Sequence, residues 1–314
     1  MVSSTDIRAA IASGLDDVVL RWLPQSISAR CKKLYVSAGE VQPLKIQIFG
    51  FGRVGRALSA GLRASGHQVS SWNRSQTDGV DAFGALPVQP QADVWILAMS
   101  DDALGGFAEQ LVARYGQGAG TVVLHCAGRL GGEALSALAE AEYQTGSLHP
   151  LQSIRGHGGE LRGCFCAIDG APETIEMAEK LVESVGGRPV RVPQGGKAAY
   201  HCAAVLGANF ATTLVHGATV LFDGIDISES QARAMLLPLL RGTLSHLENS
   251  PASEAMTGPY ARRDLDAVRA HLEALKAHAP AWVMAYGELA RQSARMMAWP
   301  AEELAALERC LSSS

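Results

Sequence analysis

The feature that most constrains the fold is a glycine motif that directly follows a short apolar run. Residues 45–49 read Lys-Ile-Gln-Ile-Phe, and glycines then stand at positions 50, 52 and 55, where a helical pattern begins. In the order strand, tight turn, helix, a G-x-G-x-x-G motif is typical of dinucleotide binding. The first glycine permits the turn, the second lets the backbone approach a pyrophosphate, and the third lets helix and strand pack closely. The phosphates would be held by free N–H groups at the helix N-terminus. The predicted contact residues are Gly50, Phe51, Gly52, Arg53, Val54 and Gly55.

The end of the second predicted strand, residues 67–72, bears on the choice between NAD and NADP. An NAD site usually carries an Asp or Glu there, which binds the ribose 2′-hydroxyl. This chain has Asn73, Arg74 and Ser75, and its next carboxylate is Asp78. A guanidinium can bind a 2′-phosphate through a planar charged fork, and a serine hydroxyl can add a further hydrogen bond. We therefore expect NADP, with NAD less favoured. The alternative is that Arg74 is an ordinary surface residue.

Alternating apolar strands and helical patterns continue to residue 192 and predict an α/β Rossmann domain. Residues 93–99 and 121–126 are continuous apolar runs, as in parallel strands that are covered on both faces. Ligands bind at the carboxyl ends of such strands, so Ser100 and Cys126 are predicted to line the nicotinamide side. Ser100 also fits the alternative role of a helix N-cap. A His-Pro step, His149-Pro150, ends a later strand and places a titratable ring near the same cleft. A structural histidine is the alternative there.

The chain changes character at residue 194, after which only helical patterns occur. A long apolar run over residues 197–222 is followed by helical stretches near 228–248, 264–277, 281–297 and 301–311. A helix that is apolar on most sides must be buried. We expect this one to be buried both in its own domain and against a second copy, which predicts a homodimer through the C-terminal helices. The predicted domains are 44–193 for the cofactor and 194–314 for the substrate and dimerisation.

Residues 1–43 precede the first strand and are interpreted as an accessory segment. Ile7, Ile11 and Leu15 give a helical apolar stripe. A start site assigned too far upstream remains the alternative. A transit peptide is disfavoured because three aspartates, Asp6, Asp16 and Asp17, lie in the segment.

Composition excludes several classes of function. The net charge of −4 gives no electrostatic reason to expect binding to nucleic acid or to an anionic membrane. No run of eighteen apolar residues occurs, so we expect no membrane span. The six cysteines include no C-x-x-C pair, so no zinc or other metal site is predicted. We expect a cytoplasmic protein with reduced thiols and a small-molecule substrate.

The order of motifs resembles the superfamily of 6-phosphogluconate dehydrogenase, pyrroline-5-carboxylate reductase and prephenate dehydrogenase. More closely, it is similar to a bacterial family of Rossmann-like proteins with a C-terminal domain of unknown function, provisionally labelled NADP oxidoreductases. The resemblance covers about residues 44–278. It rests on segments 50–55, 73–75, 97–102, 124–128, 147–152, 200–204 with Asn209, 237–239 and 257–259.

The resemblance implies a substrate site at the start of the long helix. Prephenate dehydrogenases place a similar His-Pro step beside the substrate, which implies that role for His149. Related 3-hydroxyacid dehydrogenases carry a catalytic Lys at the helix start and an Asn one turn later. Here Lys197 is followed one turn later by His201, and Asn209 lies two turns further on.

Spacings of four keep His201 and Asn209 on one broad helix face. We expect His201 to protonate the substrate during hydride transfer, Asn209 to orient it, and Tyr200 to add a hydrogen bond. Buried structural hydrogen bonds are the alternative. The departure from the Lys/Asn pattern leaves the substrate class open.

These observations predict an NADP(H)-dependent oxidoreductase that transfers hydride between the nicotinamide and a small carbonyl or imine compound. The alternative is a non-catalytic NADP-binding sensor or scaffold. A weaker third possibility is another nucleotide cofactor, such as a deazaflavin.

Overall fold

The computed structural model describes residues 43–88, 90–118, 120–156 and 158–312. The chain divides into two compact units, the first ending at His201 and the second beginning at Cys202. The predicted accessory segment lies outside the described residues, apart from Pro43.

The first unit is built on one eight-stranded sheet with helices on both faces. Its strands are β1 (Lys45–Phe49), β2 (Gln68–Asn73), β3 (Ala82–Phe83), β4 (Val94–Leu97), β5 (Val122–His125), β6 (Gln144–Pro150), β7 (Phe165–Gly170) and β8 (Arg188–Arg191). Its helices are α1 (Arg53–Ala64), α2 (Asp101–Tyr115), α3 (Ser136–Glu140) and α4 (Pro172–Ser184), with short 3₁₀ turns at Gly132–Leu135 and Gly158–Leu161. The predicted Rossmann architecture is confirmed.

The strand order is β3-β2-β1-β4-β5-β6-β7-β8, and the first six strands run parallel. The chain order reverses between β1 and β4, which is where a doubly wound sheet opens a crevice for ligands. Strand β7 differs, because it pairs antiparallel to β6, with His149 opposite Ala167. β8 then continues parallel to β7.

Both faces of the sheet are covered by apolar side chains, as the continuous apolar strands predict. Successive residues of β1 point to opposite faces. Ile48 packs with one cluster, which α1 and α4 cover, and Phe49 packs with the other, which α2 covers. The ring of Phe49 contacts Trp72 and Trp95 edge-on, with centroids 6.0 and 5.7 Å away.

The two edges of the sheet are occupied by short strands. β3, which the sequence analysis did not identify, contains two residues. β8 reads Arg-Pro-Val-Arg, with Pro189 opposite Cys166 of β7. A proline has no N–H to offer, so it is tolerated at an edge strand and not in the middle of a sheet.

The second unit is helical, as predicted. Helix α5 (Lys197–Ala204) begins in the first unit and continues as a π-helix (Val205–Asn209) and then α6 (Phe210–Asp223). The remaining helices are α7 (Glu229–Asn249), α8 (Ala252–Ala255), α9 (Pro259–Arg262), α10 (Leu265–His278), α11 (Val283–Met296) and α12 (Ala301–Ser312), with a 3₁₀ turn at Pro280–Trp282. The apolar core of this unit centres on Val268, Leu272, Ala294, Trp299 and Leu307.

The expected burial of the long apolar helix within its own domain is wrong. Within the described part of the chain, Lys197–Asp223 is the helix that is long and apolar enough to cross a membrane by length and composition, and only 6% of its apolar window is buried. Three apolar side chains four residues apart, Leu206, Phe210 and Leu214, are 60%, 50% and 44% exposed. The sequence shows that such a helix needs cover but does not show which molecule provides it.

Candidate functional site

The glycine turn is shaped by close backbone packing. Gly50 has a φ of +96°, and a Cβ at this position would overlap the carbonyl oxygen of Ala98 at the end of β4. A Cβ on Gly55 would overlap the carbonyl oxygen of Gly50. Both positions therefore require glycine, which is the structural reason for the first and third glycines of the motif.

The middle of the turn is open and suits an anion. A Cβ on Gly52 would meet no atom of the described chain within 4 Å. Helix α1 begins directly after it, with no side-chain cap and no acidic residue in its first turn. The free N–H groups and the positive end of the helix dipole thus face an accessible space, and a pyrophosphate fits both. Among the predicted contact residues, Arg53 is exposed, whereas Phe51 and Val54 pack into the protein.

The segment after β2 is fastened to this turn by Asn73. Its Oδ1 accepts a hydrogen bond from the Phe51 N–H (3.4 Å), and its Nδ2 donates to the Ser75 carbonyl (2.9 Å) and to Thr77 Oγ1 (3.0 Å). The side chain of Asn73 therefore shapes the loop. Arg74 and Ser75 are exposed on that loop, and their side chains make no hydrogen bond or ion pair within the described residues. They are free to meet a phosphate.

Two other predicted residues lie at the ends of β4 and β5. Ser100 occupies the N-cap position of α2, but its side chain makes no capping hydrogen bond, so the predicted cap is wrong in this respect. Asp101 in the first turn instead pairs with Arg129 at 2.8 Å. Cys126 is buried, and burial raises the pKa of its thiol to about 12. It contributes an uncharged wall.

A cluster of rings lies beyond the ends of β5 and β6. His149 Nδ1 is 3.0 Å from the hydroxyl of Tyr200, and the rings of His149 and His201 are 6.0 Å apart at 77°. Both imidazoles approach Gly128, where a Cβ would overlap His201 Cδ2 and stand 2.9 Å from His149 Nε2. The structure thus brings together two of the three predicted catalytic residues. Gly128 could be recognised from the sequence as a site residue, because the Ala127-Gly128 step follows the end of β5.

Burial controls the charge state of this cluster. Burial, together with the nearby Lys197, His201 and His125, lowers the pKa of His149 to about 4. Burial also raises the pKa of Tyr200 to about 12. At neutral pH, His149 is therefore an uncharged imidazole beside a protonated phenol.

A buried polar chain lies beneath the rings. Lys197, 3% exposed, donates from Nζ to Ser147 Oγ at 2.9 Å, and Ser147 donates to Asp169 Oδ1 at 2.8 Å. Burial lowers the pKa of Lys197, an effect that Asp169 opposes. Sequence reasoning missed Ser147 and Asp169, because no spacing links positions on three separate elements.

The third predicted catalytic residue is Asn209. It belongs to the second unit, where it closes the π-helical segment. Spacings of four keep residues on one face only in an α-helix, and a π-helix covers Val205–Asn209. Its role stays a prediction.

Comparisons with known proteins agree with the fold. Residues 35–150 match the family model described as a Rossmann-like domain, and residues 164–293 match the domain of unknown function DUF2520. No curated protein matches the chain significantly.

Solved structures resemble most of the chain at low identity. A Bacteroides fragilis protein provisionally named an NADP oxidoreductase is 20% identical, with a TM-score of 0.66 over 81% of this chain and 99% of that one. An imine reductase from Pseudomonas sp. is 15% identical, with a TM-score of 0.53 over 86% and 93%. The reductive aminase from Aspergillus terreus, solved with NADPH and ethyl levulinate, is 19% identical, with a TM-score of 0.52 over 87% and 95%.

Identities this low show a shared fold and no more. The family models add the two domains in their order along the chain. Along this chain a match to the Rossmann-like domain is followed by a match to the DUF2520 domain, the combination that its motifs predict.

Proposed function

We propose that the protein is an NADP(H)-dependent oxidoreductase that transfers hydride between the nicotinamide and a small carbonyl or imine compound. The proposal rests on the positions of the glycine turn and the histidine rings at the sheet. The open, uncapped glycine turn follows β1, and Gly128 and His149 lie at the carboxyl ends of β5 and β6. These strands are parallel, so the turn and the ring cluster share one edge of the sheet.

The chain's own groups would divide the work of binding. The backbone at Gly52 and the start of α1 would hold the pyrophosphate, and Arg74 with Ser75 would hold the 2′-phosphate. The bound cofactor supplies the hydride chemistry. The rings of His149 and His201 would contact the substrate and donate hydrogen bonds to its oxygen or nitrogen. The names of the similar structures, which include an imine reductase and an aminase solved with NADPH, support this class of reaction.

We also propose that a second copy of the chain covers the exposed apolar helix. Phe210 and Leu214 lie four residues apart in α6, which places them on one face, and Leu206 in the preceding π-helical segment is exposed as well. α7 adds further exposed apolar side chains, among them Leu239 at 66% and Leu244 at 59%. An apolar surface of this extent marks an interaction site, and closed homodimers are the commonest soluble assemblies.

A second candidate function, a sensor or scaffold that binds NADP without turnover, is favoured by one observation. The amine of Lys197, which stands where related dehydrogenases carry a catalytic lysine, is buried and hydrogen-bonded to Ser147. It therefore cannot reach a substrate directly.

The test is a paired titration of the purified protein with NADPH and NADH, followed by nicotinamide fluorescence. We expect preferential binding of NADPH, after which NADPH consumption would be screened against small carbonyl compounds and imines. Binding of neither nucleotide would contradict both candidate functions. Tight NADPH binding without turnover of any carbonyl or imine would favour the sensor.

A further inference from the structure

The contacts of His149 differ on its two ring nitrogens. Nδ1 lies 3.0 Å from the Tyr200 hydroxyl, whereas Nε2 lies on the side of Gly128, where no side chain separates it from the backbone. Within the described residues, the side chain of His149 makes one hydrogen bond, between Nδ1 and the Tyr200 hydroxyl. One nitrogen is thus occupied by the protein and the other is available.

The distance alone leaves two directions for this bond, because the Tyr200 hydroxyl can donate to Nδ1 or accept from Nδ1–H. A phenol is a stronger hydrogen-bond donor than acceptor, and an unprotonated imidazole nitrogen is a good acceptor, so we assign the Tyr200 hydroxyl as the donor to His149. Nδ1 then accepts, and a neutral imidazole must carry its hydrogen on Nε2.

The charges around His149 disfavour a second proton on the ring. Lys197 on α5 bonds to Ser147, which lies two residues before His149 on the same face of β6, and the ring of His201 lies 6.0 Å from that of His149. His125 lies opposite Ser147 at the end of β5. Both ring nitrogens of His125 bond to the backbone. Its Nε2–H donates to the Gly131 carbonyl (2.7 Å) and its Nδ1 accepts from the Ala127 N–H (3.1 Å). The amine of Lys197 is fixed near His149 by its hydrogen bond to Ser147, which in turn bonds to Asp169.

We propose that Tyr200 and Lys197 are positioning residues that hold His149 as a neutral imidazole with its hydrogen on Nε2, so that His149 meets the substrate as a hydrogen-bond donor and not as a cationic acid. The substrate-facing part of this inference rests on the proposed oxidoreductase function. The tautomer itself does not, because it is a property of the protein alone.

The test is NMR of the full chain labelled with ¹⁵N, which correlates ring nitrogens with ring protons and separates the two neutral tautomers. The signals of His149 are assigned from their loss in His149→Gln. We expect the Nε2–H tautomer at pH 7, with no protonation until the pH approaches about 4. An Nδ1–H tautomer, or protonation near the ordinary pKa of about 6.5, would overturn the proposal.

Two variants separate the two positioning residues. Tyr200→Phe should fold and should release His149 into a mixture of tautomers, while Tyr115→Phe, which removes a hydroxyl bonded to the Pro87 carbonyl, should leave His149 unchanged. Lys197→Met combined with Asp169→Asn, which avoids an unpaired buried carboxylate, should move the His149 midpoint upward from about 4. A Tyr200→Phe spectrum identical to wild type, or an unmoved midpoint in the double variant, would refute the respective role.

The outcomes also separate this inference from the proposed function, because the spectra are recorded without nucleotide. Loss of the tautomer result with normal NADPH binding would reject the inference alone. The expected tautomer in a protein that binds neither NADPH nor NADH would reject the function alone.

Discussion

Arg74 carries the prediction of cofactor preference at the scale of a single residue. Its side chain is exposed and makes no hydrogen bond or ion pair within the described chain. Arg74→Ala should weaken NADPH binding by roughly tenfold to a hundredfold, because a charge-assisted hydrogen bond to phosphate contributes about 1.5–3 kcal/mol. NADH affinity should change little. The measurement is the fluorescence titration of both nucleotides.

The matched control for this variant is Arg114→Ala. Arg114 is also exposed, but it lies in the last turn of α2. It should leave both affinities unchanged. Equal weakening of NADPH and NADH binding by Arg74→Ala would refute the proposal that Arg74 binds the 2′-phosphate.

Residue-level prediction from sequence has a clear boundary at this site. His149 and His201 could be identified because each stands at the end of a recognisable strand or the start of a recognisable helix. The side-chain pairings that set their chemistry could not be identified. Tyr200 meets His149 across 51 positions of chain, and Lys197 meets Ser147 across 50. The sequence also does not show that a lysine is buried, because lysine is almost never fully buried.

A substitution in the turn between β1 and α1 separates effects on folding from effects on nucleotide binding. Gly52→Ala adds a Cβ into empty space, so the melting temperature should stay within about 2 °C of wild type. The same Cβ stands where a pyrophosphate would approach the backbone, so NADPH affinity should fall at least about tenfold. Thermal unfolding and nucleotide titration are measured on the same preparation.

Substitutions at two other glycines serve as comparisons for Gly52→Ala. Gly105→Ala on α2 also adds a Cβ into open space and should leave NADPH affinity unaltered. Gly55→Ala forces an overlap with the backbone oxygen of Gly50 and should cost roughly 3 kcal/mol of unfolding free energy. Wild-type NADPH affinity in Gly52→Ala would mean that no pyrophosphate lies on the turn.

Elements were predictable where the pattern itself carries the information. α1 runs over Arg53–Ala64 as its apolar spacing and glycine boundaries predict. The reversal of β7 was not visible, because an apolar run has the same composition in either direction. The two residues of β3 are too few to form a pattern. The π-helix over Val205–Asn209 was hidden because its residues continue an apolar helical run without interruption.

The assembly of the whole molecule is tested by placing charge on the exposed apolar face. Phe210→Glu combined with Leu214→Glu should convert a dimer into a monomer, because two buried carboxylates would face the partner without a counter-charge. Light scattering after size-exclusion chromatography gives the mass directly. Met284→Glu, at a side chain 87% exposed on α11, is the control and should not change the mass. A wild-type protein that is already monomeric would refute the homodimer.

The stability of the whole molecule should fall on the acid side of neutrality. Burial lowers the pKa values of His67, His125 and His149 below the ordinary 6.5, in the case of His149 to about 4. Between these values the unfolded chain binds more protons than the folded one, so stability is complete above about 6.5 and declines as the pH falls. At pH 5, His149 alone should account for a loss on the order of 2 kcal/mol.

The measurement is urea denaturation at pH 7.5 and pH 5.0. His149→Gln should show a smaller loss between the two values, which isolates the contribution of this imidazole. Equal unfolding free energies for the wild type at both values would contradict the charge states described for the buried histidines.

The edges of the sheet have a consequence for the behaviour of the protein at high concentration. An unpaired strand normally offers a template on which another chain can add its own strand, and fibrils grow in this way. β3 is two residues long, and β8 carries Pro189 between arginines. A very short edge strand, and an edge strand that carries proline and arginines, both disfavour the addition of a neighbour's strand. Concentrated preparations should therefore resist fibril growth at these edges. In a crowded cell, strands of other chains should not add to this sheet.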